Sequence, residues 1–170
     1  EAPMPAADRA AAFQPTEVQS LTLFNMGFAV LDNKSRAWRD AEIPAVNGHG
    51  NAQGIARIHA LLANGGEVDG KRLMSEAGCR RALELQIEGP DLVMGMPARF
   101  GLGFGLTGAM LPLAAPNPKT VFWGGAGGSI AIIDFDARTS FAYTPNKMGW
   151  STIGDPRSYR IIEAMWAGMG

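Results

Sequence analysis

The clearest periodic pattern in the chain lies between residues 51 and 66. Apolar side chains recur there at the three- and four-residue spacing of one helix face, at Ala52, Ile55, Ile58, Leu61 and Leu62. Asn51 is a suitable N-cap because its side-chain oxygen can accept a backbone N–H, and "NGG" at 64–66 favours a left-handed helix end. The pattern predicts a helix between these caps. A weaker helical pattern extends from Ser75 to about Gln86.

The second half of the chain has the alternation that is typical of β-strands. "FGLGFGL", residues 100–106, alternates apolar residues with glycines and predicts one strand with an open face. "GSIAIIDFDARTSFAYTPN" predicts two strands, at about residues 130–135 and 140–144, joined by a tight turn. Asp155 followed by Pro156 predicts the cap and first position of a final helix.

These elements together predict an α+β fold, an antiparallel sheet with flanking helices. Residues 1–98 are interpreted as a loop arm and helical segment, and residues 99–170 as the antiparallel strands and C-terminal helix of the same fold. The first fifteen residues contain three prolines and predict a loosely held arm. The apolar stretch at 21–33 fits either a strand or a connecting segment.

Composition and charge exclude several kinds of partner. The chain has 170 residues, 46% hydrophobic and 18% charged, with a formal net charge of -1. Because lysine and arginine are scattered, neither nucleic acid nor a membrane is expected as a partner, and no apolar run approaches the roughly 18 residues of a membrane span. The lone cysteine, Cys79, predicts a small buried group in a helix. No signal peptide is visible and the first residue is Glu1, so we expect a processed product or a piece of a longer protein, with a cytoplasmic location favoured over a periplasmic one.

A run of glycines stands directly before a predicted strand, in "VFWGGAGGSIAIIDFD", residues 121–136. Four of the six positions 124–129 are glycine. Glycine is costly in a strand because it loses the most backbone freedom and packs nothing, so its presence indicates the close approach of another group. Two interpretations stay open. Either a ligand lies against this strand, or the glycines let a helix pack closely on the sheet.

Other residues offer fewer chemical possibilities. "GGSIA" nearly matches a hydrolase nucleophile elbow, but a strand follows where the elbow requires a helix, so Ser129 is interpreted as a strand-start hydroxyl. His49, between two glycines, fits either a pocket wall or an exposed loop, and His59 fits the flank of the predicted helix. No cluster of Cys, Asp or Glu accompanies these histidines, so neither a metal ion nor a cofactor is expected.

The order of several short motifs resembles a known family. "WGGAGGS", two strands, "NKMG", "GDPR" and a terminal helix follow one another as in the C-terminal part of the serine β-lactamase-like superfamily. Within it, the chain is most similar to the class C-related carboxylesterases known as family VIII, and "EIPAVNGHGNAQGIARIHALLANGG" and "RFGLGFGL" resemble the segments that precede the glycine-rich strand. The resemblance covers roughly residues 40–166 and implies a β-lactamase/penicillin-binding-protein-like fold.

The resemblance also implies roles for individual residues. Trp123, Gly124 and Gly125 match the position of a triplet, Lys-Thr-Gly or, in the esterases, His/Trp-Gly-Gly, on the strand along which the substrate lies. The backbone N–H of Ala126 would be one of two oxyanion-hole donors, a catalytic role. The expected lining of the substrate pocket further comprises Asn47, His49 and Asn146.

The sequence departs from the family pattern at its nucleophile. The family requires Ser-x-x-Lys and a tyrosine from a Tyr-x-Asn-like motif. No serine in the chain has a lysine three positions later, and Tyr143 in "YTPN" ends a strand that follows the triplet. The resemblance therefore implies an N-terminal chain or segment, lacking here, that carries these groups. With this partner we expect a serine hydrolase acting on small-molecule esters, neutral ones because Trp123 replaces the cationic lysine.

Two further hypotheses compete with this one. The chain could be a non-catalytic ligand- or peptide-binding module that kept the sheet and pocket. Alternatively, it could be a complete small enzyme that uses Ser129 or His49.

Overall fold

The computed structural model describes residues 14–23, 32–108 and 110–169. The predicted arm at 1–15 lies almost entirely outside these residues, as does the middle of the stretch 21–33. None of the helices in the described part of the chain is long and apolar enough to cross a membrane.

The chain divides into two compact units, of which the first comprises Glu1–Gly48 and Asp91–Met96. Its described helices are α1 (Glu17–Leu23) and α2 (Arg36–Asp40). The side-chain amide of Gln19 on α1 donates to the carbonyl of Val93 at 2.9 Å, which joins the two parts of this unit. The division of the chain at residue 98 stays a prediction.

The second unit, His49–Pro90 and Pro97–Gly170, contains a six-stranded antiparallel sheet whose strands follow in chain order. A small hairpin precedes it, formed by β1 (Glu67–Val68) and β2 (Lys71–Arg72). The six strands are β3 (Ile87–Pro90), β4 (Pro97–Phe100), β5 (Gly105–Leu106), β6 (Thr120–Gly125), β7 (Ser129–Asp134) and β8 (Thr139–Tyr143). The helices of this unit are α3 (Ala52–Ala63), α4 (Glu76–Arg80) and α5 (Pro156–Ala167). The predicted α+β fold is confirmed.

Helix α3 confirms the strongest local pattern of the sequence. Asn51 caps it, accepting from the Gly54 N–H at 2.8 Å, and the helix ends at the predicted Asn64. It covers one face of the sheet, where the buried core comprises Ala63, Leu106, Val121 and Ile133. The Ser140 hydroxyl donates to the Ala56 carbonyl at 2.7 Å and links β8 to this helix.

The prediction of a single strand at "FGLGFGL" is wrong, because this segment forms a hairpin. Phe100 ends β4 and pairs with Gly105 at the start of β5. Gly103 adopts a left-handed conformation, φ +81°, which lets the chain reverse where an alternating apolar pattern alone predicts continued extension. The reversal leaves Leu102 40% exposed and brings the ring of Phe104 to 5.9 Å from His59.

The helix predicted from Ser75 to Gln86 is correct at its start and wrong at its end. Ser75 caps α4, accepting from the Gly78 N–H at 3.0 Å, but a 3-10 turn at Arg81–Leu83 ends the helical segment. The Gln86 N–H then donates to the Phe100 carbonyl at 2.8 Å. The chain therefore leaves the helix where the sheet offers its backbone a partner.

Two other predicted regions are confirmed. β7 and β8 lie within one residue of their expected bounds, and the carboxylate of Asp134 holds their connecting turn by accepting from the N–H groups of Asp136 and Ala137 at 3.0 and 2.9 Å. Asp155 caps α5 with Pro156 at its first position.

Candidate active site

The end of β6 has an open side. β5 pairs with β6 only at Val121 and Phe122, whereas β7 pairs with it as far as Gly125. From Trp123 to Gly125, β6 therefore has a neighbour on the β7 side and no paired strand on the other side among the described residues. Such an edge leaves backbone groups available to an incoming chain or ligand.

A tight turn, Gly125–Gly128, connects β6 to β7. The Gly128 N–H donates to the Gly125 carbonyl at 3.1 Å, and both Gly127 and Gly128 adopt left-handed conformations, with φ of +98° and +95°. Residues that carry a Cβ rarely adopt this backbone conformation, so the turn requires glycine at these two positions.

The segment 147–153 packs on this turn. Gly127 donates to the Ser151 carbonyl at 3.0 Å and accepts from the Gly149 N–H at 2.8 Å. A side chain at Gly127 would begin 2.8 Å from Met148 Cγ, and one at Gly124 would begin 2.7 Å from Ile153 Cα and collide with the Thr152 carbonyl oxygen.

These contacts explain most of the glycine run. At three of its positions, 124, 127 and 128, the group that comes close is the chain's own segment 148–155. Gly125 differs, since a side chain there would meet only the Ser129 hydroxyl, at 2.7 Å. The neighbouring group at these three positions is a loop and a helix cap, whereas the packing interpretation expected a helix. At Gly125 no atom of segment 148–155 comes within 4 Å of the Cβ position.

Asp155 and Arg157 form the charged part of this region. The Asp155 carboxylate is buried against Gly128 and accepts from the backbone N–H of Arg157 at 2.9 Å. The guanidinium of Arg157 bonds to both carboxylate oxygens and holds the pKa of Asp155 below its usual value, although burial opposes this shift. Asp155 in turn raises the pKa of Arg157, so the pair stays ionised at neutral pH.

Two predicted site residues stand at the open edge. The indole of Trp123 is 40% exposed and lies against Phe100, with ring centroids 5.4 Å apart in an edge-to-face arrangement. Ala126 is exposed at the tip of the turn, and its backbone N–H donates to no atom of the described residues. The edge therefore presents an aromatic surface and a backbone donor three residues apart.

The other predicted pocket residues lie on loops. Asn146 is exposed, two residues before Met148, which covers Gly127. His49 is exposed just before α3. Asn47 lies in the first unit, where its amide group donates to the carbonyls of Trp38 and Ala41 and accepts from the Ile43 N–H.

Three other residues that could take part in chemistry, Ser129, His59 and Cys79, lie within or beside the helices and strands of the fold. Ser129 is the first residue of β7, as predicted, and His59 lies with Nδ1 2.8 Å from the Ile55 carbonyl oxygen. Burial raises the pKa of the Cys79 thiol, which favours the protonated form. In the described ranges no three His, Cys, Asp or Glu side chains are close enough together to hold a metal ion.

The contribution of segment 147–153 and of the Asp155–Arg157 pair is not among the features that the sequence patterns predict. The motif "GDPR" contained the signal, since an acidic cap followed two residues later by arginine allows a charged pair at a helix start. What it could not show is that the pair lies against the glycine turn.

Fold and site together define a protein with the β-lactamase/penicillin-binding-protein-like architecture. The profile of the family Beta-lactamase matches residues 3–165, and the chain belongs to this family. The resemblance noted in the sequence is thereby confirmed.

Individual relatives agree with this assignment. Esterase/beta-lactamase LipL of Mycobacterium tuberculosis is 36% identical over 112 residues, covering 64% of this chain and 24% of LipL. A crystal structure of a family VIII carboxylesterase superimposes with a TM-score of 0.81 at 32% identity, covering 98% of this chain and 46% of that one. A penicillin-binding protein homologue from Caulobacter crescentus gives a TM-score of 0.76 at 33% identity, covering 96% and 47%. The chain thus spans less than half the length of each of these relatives.

Proposed function

We propose that the chain is the C-terminal part of a serine hydrolase of the carboxylesterase type, which forms an acyl-enzyme on a serine outside this sequence. The observation that carries the proposal is the Ala126 N–H, exposed and without a partner among the described residues, at the end of a strand whose edge is open. A backbone N–H held at such a position can stabilise the oxyanion of an acyl-transfer transition state.

The rest of the machinery is assigned to an N-terminal chain or segment of the same enzyme. No serine among the 170 residues begins a Ser-x-x-Lys motif, and neither tyrosine begins Tyr-x-Asn. The relatives are about twice as long or longer, and their names include esterase and carboxylesterase. This chain would supply β6, the Ala126 donor and part of the pocket wall, with His49 and Asn146 as the other candidate pocket residues.

The proposed substrates are small, neutral esters. Trp123 presents an apolar indole face and one N–H donor at the position where the family places a lysine. A substrate carboxylate against this face would lose hydration without gaining a positive partner. Neutral acyl groups avoid that cost.

A fluorophosphonate probe tests the proposal on the two parts expressed together. We expect covalent labelling of a serine in the N-terminal part and none on this chain. Labelling of this chain that Ser129→Ala removes would instead show a complete small enzyme. Absence of labelling on both parts, with p-nitrophenyl esters left intact, would favour a non-catalytic binding module.

A further inference from the structure

We infer that Arg157 and Asp155 are positioning residues for the glycine turn: joined at the start of α5, they hold segment 147–151 against Gly125–Gly128 and so set the direction of the Ala126 N–H. The inference rests on the proposed role of that N–H. It concerns residues that touch no substrate in the proposed mechanism and act through the turn.

The first step is the contact between the helix cap and the turn. Asp155 Oδ1 accepts from the N–H groups of Arg157 and Ser158 at 2.9 and 3.4 Å, which fixes the carboxylate at the helix start. A side chain at Gly128 would begin 2.5 Å from Asp155 Oδ2. Gly128, the last residue of the turn, therefore lies in close contact with the Asp155 carboxylate.

The second step is the reach of Arg157 to the neighbouring segment. Its Nε lies 3.1 Å from each Asp155 oxygen, while Nη1 donates to the Lys147 carbonyl at 2.9 Å. The planar guanidinium can make these bonds in a fixed geometry, which a lysine ammonium cannot reproduce. Arg157 thus joins the start of α5 to the beginning of segment 147–151.

The third step is the bonding of that segment to the turn. Gly149 donates to the Gly127 carbonyl and Gly127 donates to the Ser151 carbonyl, at 2.8 and 3.0 Å. Gly149 is close to the charged pair as well, since a side chain there would begin 3.3 Å from Asp155 Oδ2 and 3.4 Å from Arg157 Nη2. Gly127 and Gly128 have no side chains of their own, so these outside contacts act together with the turn's own bond from Gly128 to Gly125 in holding its conformation.

A helix cap alone does not account for the arrangement. Capping needs only the bonds from backbone N–H groups to Asp155. The bond from Arg157 to Lys147 contributes nothing to the cap but ties the segment that contacts Gly127. Substitution of Arg157 therefore separates positioning from capping.

The test uses the assembled enzyme with Arg157→Lys, Arg157→Met and the matched control Arg160→Met, an exposed arginine on the same helix. Hydrogen exchange of peptides covering 121–131 and 145–153 reports on the turn, and kcat and KM for p-nitrophenyl butyrate report on catalysis. For both Arg157 variants we expect exchange in these peptides to rise about tenfold or more and kcat to fall about tenfold, with KM within about twofold of wild type. The Arg160 variant should match wild type in each measurement.

Unchanged exchange in the Arg157 variants would overturn the inference, as would an equal effect of Arg160→Met. If the Arg157→Met protein does not assemble, Arg157→Lys decides, because a lysine keeps the positive charge beside Asp155 but cannot reproduce the simultaneous bonds to Asp155 and Lys147. If exchange rises as expected while wild type hydrolyses no ester, the coupling stands and the proposed function fails.

Discussion

Gly124 and Gly125 are neighbours with different surroundings, and this difference provides a matched pair of variants. We expect Gly124→Ala to destabilise the fold by about 1–3 kcal/mol, because its methyl group meets the backbone of Thr152 and Ile153. Gly125→Ala should leave stability nearly unchanged, since only the Ser129 hydroxyl must move. It should lower kcat/KM for short p-nitrophenyl esters about tenfold or more by disturbing the proposed oxyanion donor, Ala126, next to it.

Thermal melts and steady-state kinetics of the assembled enzyme check both variants. Full turnover by Gly125→Ala would mean that this glycine has no part in catalysis. Equal melting temperatures for the two variants would contradict the contacts described at Gly124.

Trp123 provides a second prediction at the scale of one residue. Trp123→Lys should raise the ratio of kcat/KM for nitrocefin to that for p-nitrophenyl butyrate, because it adds a cation opposite a substrate carboxylate. Trp123→Phe is the control, which keeps an apolar ring and should keep the ester preference. A ratio that the lysine does not change, or a wild-type enzyme that prefers nitrocefin, would remove Trp123 as the determinant of specificity.

At the scale of elements, the start of α5 predicts a pH dependence. Arg157 lowers the pKa of Asp155 in the folded protein below the ordinary value of 3.8, so the folded state favours the ionised carboxyl. The resulting stabilisation is fully present well above pH 3.8 and is lost as pH falls through the lowered folded-state pKa. Asp155→Asn should therefore lower the urea midpoint at neutral pH and approach wild type as the solution becomes strongly acidic.

Urea titrations at several pH values measure this difference. Asp136→Asn is the control, because Asp136 pairs with Lys119 in an exposed ion pair and such pairs contribute little. A difference between wild type and Asp155→Asn that stays constant to the lowest pH would contradict the ion-pair explanation.

At the scale of the whole molecule, the sheet ends at β8 among the described strands. All five residues of β8 are only partly buried, and several large apolar side chains of the same unit are exposed, among them Ile58, Ile87, Met148 and Trp150. We expect the chain expressed alone to aggregate or remain molten, because the unpaired outer edge of β8 and the exposed apolar surface favour association.

Size-exclusion chromatography and calorimetry test this expectation, with the two-part complex as the control. The complex should melt cooperatively, and amide exchange in 139–143 should slow when the N-terminal part is present. A monomeric chain with a sharp melting transition and no partner would contradict the two-part proposal.

Local patterns in the sequence were sufficient to predict those helix caps and strands that depend on residues close together in the chain. The caps at Asn51, Ser75 and Asp155 and the strands β7 and β8 were predicted because helix periodicity, strand alternation and capping depend on residues close in the chain. The order of motifs also pointed to the family that the profile and the relatives confirm.

Other features depended on contacts between distant parts of the chain. Alternation at 100–106 fits a strand as well as a hairpin, and only the left-handed Gly103 with the pairing of Phe100 and Gly105 determines the reversal. A glycine run indicates close approach without naming the neighbour. Tertiary structure brought segment 148–155 onto Gly124, Gly127 and Gly128 and left Gly125 and the Ala126 N–H open, because packing selects the neighbour from residues that are remote in sequence.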